Sequence, residues 1–146
     1  MEKLINFKIA TPERVVFKDE VDQITLPTKI GEITILPNHI PLISVLAPGE
    51  IRVKRGNSSF AMSVSGGFIE VQAEKVIVLA DTAERAEEID IVRAEEAQKR
   101  AQEAMSKKNM DAIEFAALAA QIEKEMARIR VGRKYKNLDN IRGIGK

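Results

Sequence analysis

Gly31-Glu32-Ile33-Thr34-Ile35-Leu36-Pro37-Asn38-His39-Ile40-Pro41-Leu42-Ile43-Ser44-Val45-Leu46-Ala47-Pro48 is the stretch from which the fold is read. Ile33 and Ile35 alternate with Glu32 and Thr34, the period of a half-buried strand. Pro37 has no N–H to donate to a ladder, so it ends that strand. Asn38, His39 and Pro41 form a stiff polar corner, and Leu42 to Leu46 is a second apolar run closed by Pro48-Gly49. Two short strands around a proline corner do not bury their apolar faces alone, so they require more strands on either side.

The flanking sequence supplies them. Ile5, Phe7 and Ile9 alternate with polar residues, and Thr11-Pro12 ends that run. Val15 to Phe17, Ile24 to Leu26, Ile51 to Val53, Phe60 to Val64, Phe68 to Val71 and Val76 to Ala80 follow. Thr11-Pro12, Pro27, Gly56-Asn57, Gly66-Gly67 and Ala73-Glu74 punctuate them. Many short strands with such punctuation predict an antiparallel β-sandwich, and the absence of a βαβ pattern argues against a parallel sheet.

The composition breaks between Asp81 and Glu88, after which Ala, Glu, Lys, Arg and Gln dominate. Ile89, Val92, Ala97, Ala101 and Met105 place a mostly small apolar stripe on a first helix. Glu95 with Lys99, Glu96 with Arg100 and Glu103 with Lys107 have the spacing of i,i+4 ion pairs. Asp111 and Glu114 form a capping arrangement for a second helix. Phe115, Leu118, Ile122, Met126 and Ile129 are its predicted seam. A short turn between them makes an antiparallel two-helix hairpin. Alanine buries little area, at about 25 cal/mol per Å², so this hairpin should pack closely but hold weakly. By pattern alone an ordinary helical appendage is the favoured reading. The predicted division is a β-sandwich over 1–84, a helical hairpin over 85–134 and a basic tail over 135–146.

The chemistry is sparse. The chain has 146 residues, a net charge of +1, no cysteine and one histidine, His39. Disulfides and thiolate metal sites are excluded, and no Ser-His-Asp or metal-ligand set is assembled. His39, between Asn38 and Ile40, reads as a hydrogen-bonded corner residue. Gly66-Gly67 lacks the Gly-Lys-Ser/Thr of a phosphate loop and reads as a turn or a close backbone approach. No apolar run reaches the roughly 20 residues of a membrane span, and Met1-Glu2-Lys3 has no signal-peptide layout. A cytoplasmic protein is expected, reaching a membrane only through a partner.

Two groups of cations remain. Asp90, Arg93, Ala97 and Arg100 share a helical face, and Lys124 and Arg128 lie one turn apart on the second helix. Folding the hairpin would let these cations converge, and guanidinium forks suit a polyphosphate. From the residues alone, solvated ion pairs of a helix surface are the favoured reading. From Lys124 onward, eight cations stand against Glu125 and Asp139, a net +6. That basic end suits the helix dipole or an acidic protein partner, or is simply a frayed terminus.

The run Gly31-Glu32-Ile33, Ile35-Leu36-Pro37-Asn38-His39, Pro41-Leu42 and Pro48-Gly49 resembles the signature of the epsilon subunit of F-type ATP synthases. The likeness continues through Ser65-Gly66-Gly67 and Ala80-Asp81-Thr82-Ala83 into the helices and covers about residues 4 to 131. It implies a non-catalytic rotor subunit, coupling proton or sodium flow to ATP synthesis at the cytoplasmic face of a bacterial membrane. It also implies a sandwich that stays on the rotor and helices that fold against it or extend into the catalytic head and block hydrolysis. Implied partners are the gamma subunit and the c-ring, with Glu32 and His39 near the ring. The beta and alpha subunits are implied when the helices extend, with Arg128, Arg130 and Arg133 as contacts. No cofactor is required and no nucleic acid is expected.

Ile89-Asp90-Ile91-Val92-Arg93-Ala94 is similar to the Ile-Asp-x-x-Arg-Ala motif of epsilon subunits that bind ATP. Binding residues carry over onto Glu84, Ile89, Asp90, Arg93, Ala94, Arg100 and Arg128, with ATP as a regulatory ligand. Where ATP binders carry a further arginine, this chain has Lys124, which keeps the charge and loses the fork. The spacing to the second helix is also one residue longer. Beyond Val131 the resemblance fades, and 135–146, with Gly143 and Gly145, has the composition of a disordered end. Two other readings remain at this point. One is a free-standing nucleotide sensor, and the other is a small nucleic-acid-binding module using the basic tail.

Overall fold

The computed structural model describes residues 3–107 and 109–144, with the backbone alone for 141–144. Ten strands come first: β1 (Ile5–Ala10), β2 (Val15–Val21), β3 (Gln23–Thr28), β4 (Gly31–Ile35), β5 (Leu42–Leu46), β6 (Gly49–Arg55), β7 (Ser58–Val64), β8 (Gly67–Val71), β9 (Lys75–Ala80) and β10 (Ala83–Arg85). A 3-10 turn (Ala86–Glu88) leads to α1 (Ile91–Ser106) and α2 (Ala112–Ile144). The strands run in the order β10-β7-β6-β3-β5-β8-β9-β1-β2, with β4 on β3. The sheet wraps around one core in which Ile5, Phe7 and Ile9 of β1 meet Ile24, Ile51, Val53, Ile69 and Val78. Each of these comes from the alternating apolar positions, because every second side chain of a strand points inward.

The proline corner does what its residues dictate. β4 pairs with β3, whereas β5 pairs along its length with β8. The corner therefore carries the chain from one part of the sheet to another. Asn38 takes φ 66°, a left-handed turn conformation that asparagine tolerates. The His39 N–H donates to Leu36 O at 3.2 Å. Its ring Nδ1 lies 2.7 Å from Ile40 O, and since that carbonyl only accepts, Nδ1 carries the proton. Gly67, at φ 140°, is a close backbone approach: a Cβ there would lie 1.9 Å from Leu79 O.

One pairing departs from the antiparallel expectation. β1 and β9 lie parallel, with Phe7 opposite Val76 and Ile9 opposite Val78. No crossover helix joins them; closure of the sandwich sets the first and ninth strands side by side. β10, which pairs with β7 from Ala83 opposite Val64 to Arg85 opposite Met62, was not foreseen. It has three residues and no apolar alternation, and the 84/85 division falls inside it.

The helices follow their caps. The Asp90 carboxylate accepts from the Arg93 N–H at 3.2 Å and starts α1. Glu114 N–H donates to Asp111 Oδ1 at 2.8 Å, and Asp111 N–H donates to Glu114 Oε2 at 3.2 Å, closing the expected box. The predicted seams shift. On α1, Ala94 and Ala101 are buried and Val92 is exposed. On α2, Phe115 and Met126 are exposed, Leu118 and Ile122 are half-buried, and Ala127, Ile129 and Val131 are buried. The second half of α2 is gripped from two sides, by α1 and by β6, β7 and the 3-10 turn, whereas its first turns meet little. A single stripe at helical period does not describe a helix with two neighbours.

The predicted tail is also different. α2 continues unbroken through Ile144, so 135–144 is helix rather than a disordered end. Lys134 reaches back to Glu50 of β6 at 2.9 Å, and Tyr135 and Leu138 wall a groove of about 450 Å³ over Phe60 and Ala61. Gly145 and Lys146 lie outside the described residues.

Candidate functional site

The site lies where β10 meets α2. Pairing with β7 holds β10 in place and points Glu84 at the second helix. Arg128 Nε donates to Glu84 Oε2 at 2.8 Å, and its Nη2 reaches Glu84 Oε1 at 3.4 Å. This is a two-pronged fork, whose second prong is long. Arg128 Nη1 donates to Glu125 Oε2 at 2.8 Å, and Gln121 Nε2 donates to Glu125 Oε1 at 2.8 Å. Glu125 is only 2% exposed, and each of its two oxygens accepts a hydrogen bond, as burial of a polar group requires. Burial would lower the Arg128 pKa, but the hydrogen bonds to Glu84 and then Glu125 outweigh it and hold it above its ordinary value. The guanidinium is thus permanently charged and ties the sandwich to the hairpin.

Of the residues singled out in the sequence, the fold brings Glu84 and Arg128 together. Ile89 packs near Gly132, where an added Cβ would lie 3.1 Å from its Cγ2 and 2.9 Å from Ile91 Cγ1. Ala94 is buried under α2. Asp90 is the helix cap rather than a member of a shared helical face. Arg93 and Arg100 are exposed and make no ion pair among the described residues, and Lys124 is half-buried beside Glu125. The expected cluster of cations is therefore not assembled around Arg128. The i,i+4 pairs of α1 are not closed either, since Glu95 instead meets Arg133 of α2 at 2.5 Å. Glu125 was missed. Its signal was present, because Glu125 and Arg128 have i,i+3 spacing and Gln121 and Glu125 have i,i+4 spacing.

On the sandwich, Glu32 is exposed and pairs with Arg52 at 2.7 Å, and His39 sits half-buried in the corner. Arg130 is exposed on α2. A separate apolar face lies on β5, β8 and β9, where Val45, Phe68 and Leu79 stand in cross-strand register and Ile43 adjoins them. All four are exposed, Phe68 by 61% and Ile43 by 78%. Adjacent large apolar side chains on one sheet face are the usual mark of a protein interface. Among the described residues there is no group of metal-ligating side chains and no helix long and apolar enough to cross a membrane.

Residues 4–86 match the family model of the ATP synthase delta/epsilon chain β-sandwich domain, and residues 87–132 match that of its long α-helix domain. The chain belongs to the ATP synthase epsilon chain family. The epsilon chain of Dehalococcoides mccartyi is 45% identical over 130 residues, 89% of this chain and 93% of that relative. That of Chloroflexus aggregans is 44% identical over 133 residues, covering 90% and 94%. The fold is also that of a chain in the cryo-EM structure of the Euglena gracilis mitochondrial ATP synthase, OSCP/F1/c-ring. That likeness has a TM-score of 0.75 and 23% identity, covering 87% of this epsilon-family chain and 80% of the other. The helical family domain ends at 132, so Arg133 to Ile144 extends beyond it.

Proposed function

We propose that the chain is a non-catalytic, central-stalk rotor subunit of an F-type ATP synthase. It couples proton or sodium translocation to ATP synthesis and restrains ATP hydrolysis through its C-terminal helices. The observation that carries this reading is the way the hairpin rests on the sandwich. The buried Ala127, Ile129 and Val131 of α2 and two charged contacts, Arg128 with Glu84 and Lys134 with Glu50, hold the hairpin together and on the sheet. The first turns of α2 are exposed and only its second half docks on the sheet, so detachment of the hairpin is a local opening that leaves the core of the sandwich intact. The apolar face of Ile43, Val45, Phe68 and Leu79 supports docking on the gamma subunit. Glu32 and His39 are the proposed c-ring contacts. Arg128, Arg130 and Arg133 are offered to the beta and alpha subunits once the helices extend. The protein then sits peripherally at the cytoplasmic face of the bacterial cell membrane, held there by the complex.

ATP is proposed as a regulatory ligand of the folded hairpin, on Glu84, Ile89, Asp90, Arg93, Ala94, Arg100, Lys124 and Arg128. Glu84 and Arg128 already meet, which supports that location, while Arg93 and Arg100 would have to swing in. Isothermal titration of the full chain with millimolar ATP tests it, and the absence of heat refutes it. The inhibitory role is tested by ATP hydrolysis in the assembled head carrying either the full chain or one stopped after Ala86. Faster hydrolysis with the shortened chain is expected; equal rates would refute inhibition by the helices.

A further inference from the structure

We infer that Glu125 is a built-in competitor for the regulatory anion site, a carboxylate that occupies Arg128 and sets how weakly this chain takes a polyphosphate. The inference rests on the proposed ATP site and names the residue of this chain that would tune it. Of the five N–H donors of a guanidinium, Arg128 commits Nε and one Nη2 donor to Glu84 and one Nη1 donor to Glu125. The side chain is 19% exposed and Glu84 is 30% exposed, so the cluster opens to solvent on the Glu84 side and is closed on the Glu125 side.

The charge balance carries the argument. Two carboxylates face one guanidinium, a net charge of −1 in a partly buried place. A nucleotide arriving there brings several negative charges to a site that is already negative. It must take Arg128 from a partner that cannot follow it, because Glu125 is fixed between Arg128 and Gln121. Arg93 and Arg100 are exposed and not drawn toward this carboxylate pair, and Lys124 adds charge without a fork. Neutralising Glu125 brings the cluster to zero and leaves Glu84 as the one charged partner of Arg128. Glu84 is the middle residue of the short edge strand β10 and keeps some exposure to solvent, whereas Glu125 is closed off within the continuous helix α2.

The test uses the full chain and ATP itself. Glu125→Gln is isosteric and retains an acceptor for Gln121, so the helix should persist, and circular dichroism checks that it does. Glu125→Ala is the second variant should the first fold poorly. Isothermal titration should give at least about tenfold tighter ATP binding for Glu125→Gln than for the natural chain. Adding Arg128→Gln should abolish that gain. Equal ATP affinity of the natural chain and both Glu125 variants overturns the competitor role while leaving the ATP site standing. A gain that survives Arg128→Gln overturns it as well, since the gain would then not run through Arg128. No binding by any of these proteins overturns the ATP site and the competitor together.

Discussion

Replacing Arg128 by Met removes the guanidinium and keeps much of the side-chain volume. Glu125, 2% exposed, then retains Gln121 as a neutral donor but loses the one charged partner it has among the described residues. Breaking a buried pair from one side costs about 3–5 kcal/mol, because a charge is left uncompensated. The Arg128 side chain keeps some exposure, at 19%, so the lower end, about 3 kcal/mol, is the expected cost. It should fall on attachment of the hairpin, since neither carboxylate belongs to the core of the sandwich. Native-state hydrogen exchange of the α2 amides between Gln121 and Val131 reads that attachment. At about 1.4 kcal/mol per factor of ten, exchange there should quicken by roughly a hundredfold, with the β-strand amides unchanged. The double variant Glu125→Leu with Arg128→Met supplies the discriminating arm. Well-packed apolar replacements of a buried pair are often neutral, so most of the protection should return although the tether to Glu84 is still missing. Failure of Arg128→Met to accelerate exchange would refute the reasoning. So would a double variant as labile as the single one, because the cost would then lie in the lost Glu84 tether rather than in the stranded Glu125 charge.

Gly67→Ala should destabilise the sandwich by about 3 kcal/mol or more, measured by urea unfolding, because φ 140° is strained and its Cβ would collide with Leu79 O at 1.9 Å. Lys134→Ala should cost no more than about 1 kcal/mol and lose its effect in high salt, since the lysine is 50% exposed. Asp111→Ala removes an N-cap and should cost about 1 kcal/mol of helix stability, read as a loss of helical circular dichroism on mild heating. Phe68→Ser should leave the stability of the chain within about 0.5 kcal/mol, since this ring is 61% exposed, while weakening capture by immobilised gamma subunit.

Most of the strand positions were legible because their information is local. Ile5, Phe7 and Ile9 alternate, and alternation is itself the geometry of a strand with one buried face. The capping box at Asp111 and Glu114 was legible for the same reason, since its partners are three residues apart. The corner at Pro37 to Pro41 and the close approach at Gly67 were written in residues whose backbone options are few. The seam of α2 was not legible. Periodicity reports a single apolar face, while α2 is clasped by a helix and a sheet, which leaves Phe115 and Met126 in solvent and buries Ala127 and Val131.

A β-sandwich followed by two helices is already legible in the residues, through the change from a period of two to one of three or four and through the turn and cap residues. Which charges meet is set by the folded chain alone. Glu84 and Arg128 are 44 residues apart, Glu95 and Arg133 are 38 apart, and Glu50 and Lys134 are 84 apart. The parallel seam of β1 and β9 is likewise a product of closure. The difference is one of range. Backbone preference and hydrophobic period act within a few residues, whereas a side chain is paired by whatever surface the finished core brings within about 3 Å of it.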